Sequence, residues 1–244
     1  MTGKVAVVGG SGKTGRAIRA ALEKRNVPSV AIGRAEWPDL AGILAETERT
    51  YVLAPNMHEN ERTFVLDVVA AAQAAGVERL VYHSVASPYV PAMPHHLGKA
   101  ESEDVVRRSG LTWTILQPGA YLQNFPLDGS PLRIAYRADA PFGFSHLDDV
   151  AEVAATVLLD DGHEGATYEL ASVRSTPAGI AGAVGAEIDV VTPEEWAHTD
   201  GAVLDDRVRR WLLAMFAYYD AHGLPVGTLP MATLLGRAPR TLTT

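Results

Sequence analysis

A short apolar run, residues 4–8, feeds directly into Gly9-Gly10-Ser11-Gly12-Lys13-Thr14-Gly15 and then into an amphipathic stretch. No other feature constrains the fold as strongly. The spacing satisfies G-x-G-x-x-G through Gly10, Gly12 and Gly15, and G-x-x-G-x-x-G through Gly9, Gly12 and Gly15. Glycine serves three purposes at such a turn: tight chain reversal, close approach of backbone to a pyrophosphate, and close packing of helix on strand. The N–H groups and dipole of the following helix then favour an anion. A triphosphate P-loop is excluded although Gly12-Lys13-Thr14 imitates its ending, because Val7 stands where that motif needs glycine.

Strand and helix signals alternate after this turn. Strand-like runs cover residues 29–32, 51–53, 80–84 and 112–116, and helical periodicity covers 12–24, 39–44, 61–75 and 98–109. Gly76 and Gly110 stop the last two helices, and Pro118 ends the last strand. Such alternation demands crossover connections and a Rossmann-like, doubly wound parallel α/β sheet. Beyond Pro118 the pattern loosens. Helices are expected over 146–159 and 206–221, short strands near 142–144, 168–171 and 188–191, and a capped helix start at Thr192-Pro193-Glu194-Glu195. The expectation is a single domain over 1–244, with residues 1–120 as dinucleotide-binding core and 121–244 as core completion and a small α/β substrate region.

The 244 residues carry 21 Lys and Arg against 29 Asp and Glu, a net charge of −8. That sign argues against nucleic acid as a partner, since a phosphate backbone rewards a basic face. The absence of cysteine excludes disulfides, thiol catalysis and thiolate metal sites, and no histidine or carboxylate spacing suggests a metal. No run reads as a signal peptide or membrane span, so a cytoplasmic protein acting on a small molecule is expected.

The second strand ends Ala31-Ile32-Gly33-Arg34, where a site for NAD(H) places an acidic residue on the ribose hydroxyl. Arg34 instead matches a 2′-phosphate, with Lys13 adding charge, so NADP(H) is preferred and NAD(H) is the alternative. A solvated arginine is the plainer reading of Arg34, and Glu36 nearby dilutes the preference.

Several further stretches join the glycine loop and Arg34: residues 74–84 (AAGVERLVYHS), Lys99-Ala100-Glu101, residues 109–119 (SGLTWTILQPG) and residues 235–242 (LGRAPRTL). As an ordered set they resemble the NmrA-like group of atypical short-chain dehydrogenases/reductases, which includes NAD(P)H:quinone and triphenylmethane dye reductases. The resemblance implies that Gly9 to Gly15, Arg34, Ala54, Pro55, Ser84, Lys99, Pro118 and Gly119 hold the cofactor, with Gly119 letting the nicotinamide approach. It places Lys99 and Ser84 in the catalytic region, and Tyr121 and Asn124 near the substrate. Tyr89, His96 and His146 complete the substrate candidates.

Two departures from that pattern carry consequences. His95 occupies the tyrosine position of the usual Tyr-x-x-x-Lys pair, so His95, Tyr89 or Tyr121 must stand in as proton donor, or water must; His95 reads equally well as a loop histidine in a proline-rich lid. The strand that normally follows the second and ends in Gly-Asp-Leu is absent, so one edge strand is missing, with Trp37 either an adenine wall or a hydrophobic plug. Asp149 reads as helix capping or dipole support. The aromatic run from Trp211 to Tyr219 is core, dimer surface or pocket roof, and a homodimer is one expectation. The favoured function is NADPH-dependent reduction of a conjugated, aromatic or quinone-like molecule. A dinucleotide sensor without turnover and a cofactor-independent isomerase or cyclase are the alternatives.

Overall fold

A computed structural model describes residues 3–126, 128 and 130–242. Its centre is a sheet of six parallel strands in the order β2-β1-β3-β4-β5-β9. These are β1 (Val5–Val8), β2 (Ser29–Ile32), β3 (Arg49–Val52), β4 (Arg79–His83), β5 (Thr112–Pro118) and β9 (Thr167–Leu170). The inner strands β1 and β4 are buried along their whole length and β3 along all but its first residue, as expected where helices cover both sides. Val5 and Val7 pack toward α1 (Lys13–Lys24), α5 (Leu147–Leu159) and α9 (Leu229–Leu235). Ala6 and Val8 pack toward α2 (Leu40–Ala45), α3 (Glu61–Ala75) and α4 (Pro94–Arg107). Each fully buried Val or Leu in these two layers contributes about 1.5–3 kcal/mol relative to exposure.

The chain leaves β1 toward β2 on one side and then crosses to β3 on the other, which opens a crevice at the carboxyl ends of β1 and β3. Among the described residues nothing pairs outside β2, so the sheet lacks the edge strand that the sequence also lacks. Trp37 fills that corner by stacking on Phe64 with centroids 4.7 Å apart.

The second half builds over the carboxyl edge. A small sheet joins β6 (Ala120–Tyr121), β8 (Phe142–Ser145) and β10 (Val173–Ser175), and a second pairs β7 (Leu132–Ile134) with β11 (Ile188–Val190). Around them lie α6 (Pro177–Val184), α7 (Pro193–His198) and α8 (Asp206–His222). Thr192 caps α7 through the Glu195 amide, while the Glu195 carboxylate pairs with Arg133. Two expectations move. The helix expected from residue 98 begins at Pro94, because proline at N1 loses no needed hydrogen bond; His95 and His96 therefore sit in a helical first turn and not in a loop. Asp149 is not a cap: His146 takes that role, accepting at Nδ1 from the Asp148 N–H at 3.2 Å.

Candidate active site

The glycines of the turn after β1 have different reasons to be glycine. A Cβ on Gly9, whose φ is +78°, would lie 2.5 Å from the Leu53 carbonyl oxygen; on Gly10 it would lie 2.6 Å from that of Val7, and on Gly15 2.3 Å from that of Gly9. Those three are dictated by the chain's own packing. A Cβ on Gly12 would meet nothing closer than 3.4 Å, its φ of −75° suits any residue, and it is exposed. What needs the missing side chain at Gly12 therefore lies outside the chain. Helix α1 starts there with no side-chain cap and no acidic residue in its first turn, leaving its leading N–H groups open to an anion. A dinucleotide pyrophosphate fits this cradle.

Arg34 stands exposed at the end of β2, and among the described residues it has no ion-pair or hydrogen-bond partner. One oxygen of the Glu36 carboxylate accepts the Gly33 N–H at 2.8 Å. Lys13 reaches across to the Gln123 carbonyl at 3.0 Å, linking the glycine turn to the loop after β6.

Behind the crevice lie two buried carboxylates. Glu61, at the start of α3, accepts from the Lys99 ammonium and from the Tyr82 hydroxyl, each at 2.7 Å. Lys99 also donates to the His83 carbonyl at 3.2 Å, which fixes the end of β4. Glu103 is wholly buried and accepts from Ser84 Oγ, from Gln117 Nε2 at 2.7 Å and from Arg107 at 2.9 Å. The Ser84 proton is thus committed to Glu103. Tyr89 is largely exposed and also donates to Glu103, at 3.2 Å.

One cleft of about 1450 Å³ runs from the glycine turn past Arg34 and Trp37 to an aromatic chamber at the far end. That volume exceeds the usual size of a single drug-like ligand site. The chamber is walled by Phe125, Tyr136, Phe142, Met215, Phe216 and Tyr219. His95 stacks near Trp211 with centroids 6.3 Å apart, and His96 Nδ1–H donates to the Ser87 carbonyl at 3.3 Å. Burial, with the Lys99 charge nearby, lowers the His95 pKa to about 3; burial lowers that of His96 to about 4, so both rings are neutral at pH 7. Arg133, the arginine at this end, is neutralised by Asp189, Glu195 and Asp200. Arg207 packs 4.7 Å over Trp211 and donates to the Met57 carbonyl at 2.8 Å, tying α8 to the loop after β3.

Of the residues singled out from sequence, Gly9, Ser11, Gly12, Lys13, Thr14, Arg34, Ala54, Pro55, Ser84, His95, His96, Lys99, Pro118, Gly119, Tyr121 and Asn124 all line this cleft. Gly10 and Gly15 lie beneath it as packing glycines. Gly119 has a structural reason to be glycine: a Cβ there would lie 2.1 Å from the Gly143 carbonyl oxygen, so the close approach it allows is that of β8. Tyr89 and His146 are not part of the lining. Asp149 is fully buried and accepts from Ser172, from Arg237 and from both the side chain and backbone N–H of Arg240, which anchors the C-terminal tail on α5.

Sequence reasoning passed over His83. It lines the cleft at the end of β4, 4% exposed, with Tyr51 at Nδ1 and Tyr121 at Nε2. The available signal was its place directly before Ser84 at a strand's carboxyl end, where ligands gather. Among the described residues no group of three or more histidines and carboxylates could hold a metal, and no helix is long and apolar enough to cross a membrane.

The sheet order, the glycine cradle and the cleft at the switch point define a Rossmann-type dinucleotide-binding protein. A profile described as NAD(P)H-binding matches residues 38–161, just over half of the chain, so the chain belongs to that NAD(P)H-binding, reductase-like family. Its fold is that of the NmrA-like atypical short-chain dehydrogenases/reductases. It is 26% identical over 191 residues to an NAD(P)H azoreductase of Xenophilus azovorans, covering 67% of this chain and 66% of that one. Against quinone oxidoreductase 2 of Escherichia coli it is 33% identical over 115 residues, covering 43% and 38%. The chain thus spans about two thirds or less of these relatives' lengths. Among solved structures, the NADPH-dependent quinone oxidoreductase of Escherichia coli complexed with NADPH superposes with a TM-score of 0.81 at 21% identity, over 98% of this chain and 96% of that one. NmrA, a negative transcriptional regulator in complex with NAD, superposes at 0.78 and 17% identity, over 99% and 94%.

Proposed function

We propose that the protein is an NADPH-dependent reductase of a small, uncharged, planar acceptor such as a quinone or an azo compound. The observation that carries this reading is the continuity of the cleft: a pyrophosphate cradle opens into an aromatic chamber in which Arg133 is paired and both histidines are neutral. A flat apolar molecule gains there from ring contacts and desolvation, whereas a sugar nucleotide would bury its phosphates without a free cation. NADPH supplies the hydride. The chain supplies orientation: the turn at Gly12 seats the pyrophosphate, Arg34 meets the 2′-phosphate, and Lys99 holds the floor between cradle and chamber. An electron-poor acceptor asks little proton catalysis of the protein, which accords with histidine in place of the usual tyrosine.

A dinucleotide-binding regulator without turnover is the second reading. It is favoured by the commitment of the Ser84 proton to Glu103 and by the pairing of the Lys99 charge with Glu61, which reduces what the two residues offer for the roles they serve in short-chain dehydrogenases. Calorimetric titration with NADPH and NADH, followed by addition of a naphthoquinone, separates the two. The reductase reading expects tighter NADPH binding and acceptor-dependent NADPH oxidation. Binding without oxidation of any quinone, enone or azo acceptor would favour the regulator, and no binding of either dinucleotide would overturn both.

A further inference from the structure

We propose that His83 is a positioning residue that, fixed by Tyr51, holds the Tyr121 hydroxyl as a hydrogen-bond donor to the acceptor atom of the substrate. The inference rests on the reductase reading and adds to it the group that faces the developing charge. Three rings from three strands form the chain of contacts. Tyr51 of β3 is wholly buried, and its hydroxyl meets His83 Nδ1 at 2.5 Å. On the other side of the imidazole, Nε2 lies 3.2 Å from the hydroxyl of Tyr121, whose ring runs nearly parallel at 12°. Tyr121 lines the cleft together with Thr14 of the glycine turn, so its ring stands at the junction of the cofactor cradle with the cleft.

The direction of the hydrogen bonds follows from satisfaction of buried groups. Burial raises the Tyr51 pKa well above its ordinary value, so its O–H stays protonated. That proton has His83 Nδ1 to go to, and pointing it elsewhere would leave a buried donor unpaired. Burial, helped by the Lys99 charge, lowers the His83 pKa to about 3, so at pH 7 the ring carries one N–H. With Nδ1 accepting, that N–H is on Nε2, and it donates to the Tyr121 oxygen. The Tyr121 proton is left to point at a ligand in the cleft. Tyr51 thus sets the tautomer, and the tautomer sets the polarity of Tyr121.

Burial pushes the Tyr121 pKa up, so the hydroxyl donates a hydrogen bond and keeps its proton. NADPH, when bound, would give the acceptor two electrons as a hydride: its dihydronicotinamide C–H bond breaks, a C–H or O–H bond (N–H for an azo compound) forms on the acceptor, and NADP⁺ is left. The negative charge appears on the reduced acceptor's oxygen or nitrogen, where the Tyr121 O–H stabilises it, and a proton from water then neutralises it.

Nitrogen NMR of ¹⁵N-histidine in the full-length protein reads the device without turnover. The expected result is a neutral His83 with its proton on Nε2 from pH 5 to 8, and loss of that single tautomer in Tyr51→Phe. A proton on Nδ1 in the unaltered protein, or a tautomer indifferent to Tyr51→Phe, overturns the proposal. Kinetics with NADPH and a naphthoquinone supply the second readout. Tyr121→Phe is expected to lower kcat roughly tenfold to a hundredfold with the NADPH KM unchanged. His83→Leu should do the same, and His83→Gln, whose amide can still donate to Tyr121, should recover part of the loss. The double variant Tyr121→Phe, His83→Leu should be no slower than Tyr121→Phe, since both act through one hydroxyl. Additive losses, or an unchanged kcat in Tyr121→Phe, overturn it. Quinone reduction absent from the unaltered protein overturns the catalytic half together with the reductase reading, and the tautomer result tells that failure from a failure of the relay itself.

Discussion

The ammonium of Lys99 and the carboxylate of Glu61 lie 2.7 Å apart with side chains only 7% and 2% exposed. The lysine that family resemblance assigns to the cofactor site is therefore also half of a buried ion pair. Removing one partner of such a pair costs about 3–5 kcal/mol, because the other charge stays buried and unpaired. Glu61→Gln should lower the urea unfolding free energy by that amount. The double variant Glu61→Leu, Lys99→Met should lose less than Glu61→Gln alone, since it leaves no orphan charge. Equal losses in the two would show that the pair's charge does not matter.

Gly12→Ala and Gly15→Ala separate binding from folding. Gly15→Ala forces a Cβ to 2.3 Å from the Gly9 oxygen and should cost about 1–3 kcal/mol in thermal or urea unfolding. Gly12→Ala has room within the chain and should keep stability within about 0.5 kcal/mol. Its NADPH affinity should nonetheless fall at least tenfold by calorimetry. Unaltered affinity in Gly12→Ala would mean the pyrophosphate does not lie over this glycine.

Arg34→Ala should weaken NADPH binding about tenfold to a hundredfold, the worth of one or two hydrogen bonds to a charged group, and leave NADH binding unchanged. Equal weakening of both dinucleotides would remove the 2′-phosphate role.

Acid should destabilise the fold well before carboxylates titrate. His83 and His95 have folded pKa values lowered to about 3, against about 6.5 when unfolded. Unfolding therefore takes up protons as pH falls below about 6.5, and stability present above that pH is lost progressively toward the folded values. Each histidine should cost about 2 kcal/mol between pH 7 and pH 5. His95→Phe should flatten this dependence. Asp149 acts at lower pH: burial raises its pKa, but hydrogen bonds from the Arg240 N–H, Arg237 and Ser172 outweigh that and hold it below the usual range. Its contribution is present above about pH 4 and disappears as pH falls through the folded value. Urea midpoints measured across pH 3 to 8 check both slopes.

Local chemistry was legible in the sequence, and long-range partnership was not. The glycine turn, the alternation through Pro118 and the missing edge strand are written in contiguous residues, and the sheet β2-β1-β3-β4-β5-β9 realises them. Asp149 looked like a cap because helix starts favour acids, whereas its partners Arg237 and Arg240 enter 88 and 91 residues later. Ser84 is placed in the catalytic region by resemblance alone; that Glu103, 19 residues on and in the second half of α4, takes its proton is a long-range fact. His83 carried no motif of its own; its meaning comes from Tyr51 and Tyr121, brought to either side of it by neighbouring elements. The prolines before α4 suggested a loop because Pro94 serves as well at a helix start as in a turn.

Reductase activity is tested by the loss of NADPH absorbance on adding a naphthoquinone to the purified protein, with a sugar nucleotide in a parallel reaction. Protein-dependent NADPH oxidation is expected with the quinone, none with the sugar nucleotide, and slower oxidation when NADH replaces NADPH. No oxidation with the quinone under conditions where calorimetry shows NADPH bound would contradict the reductase reading.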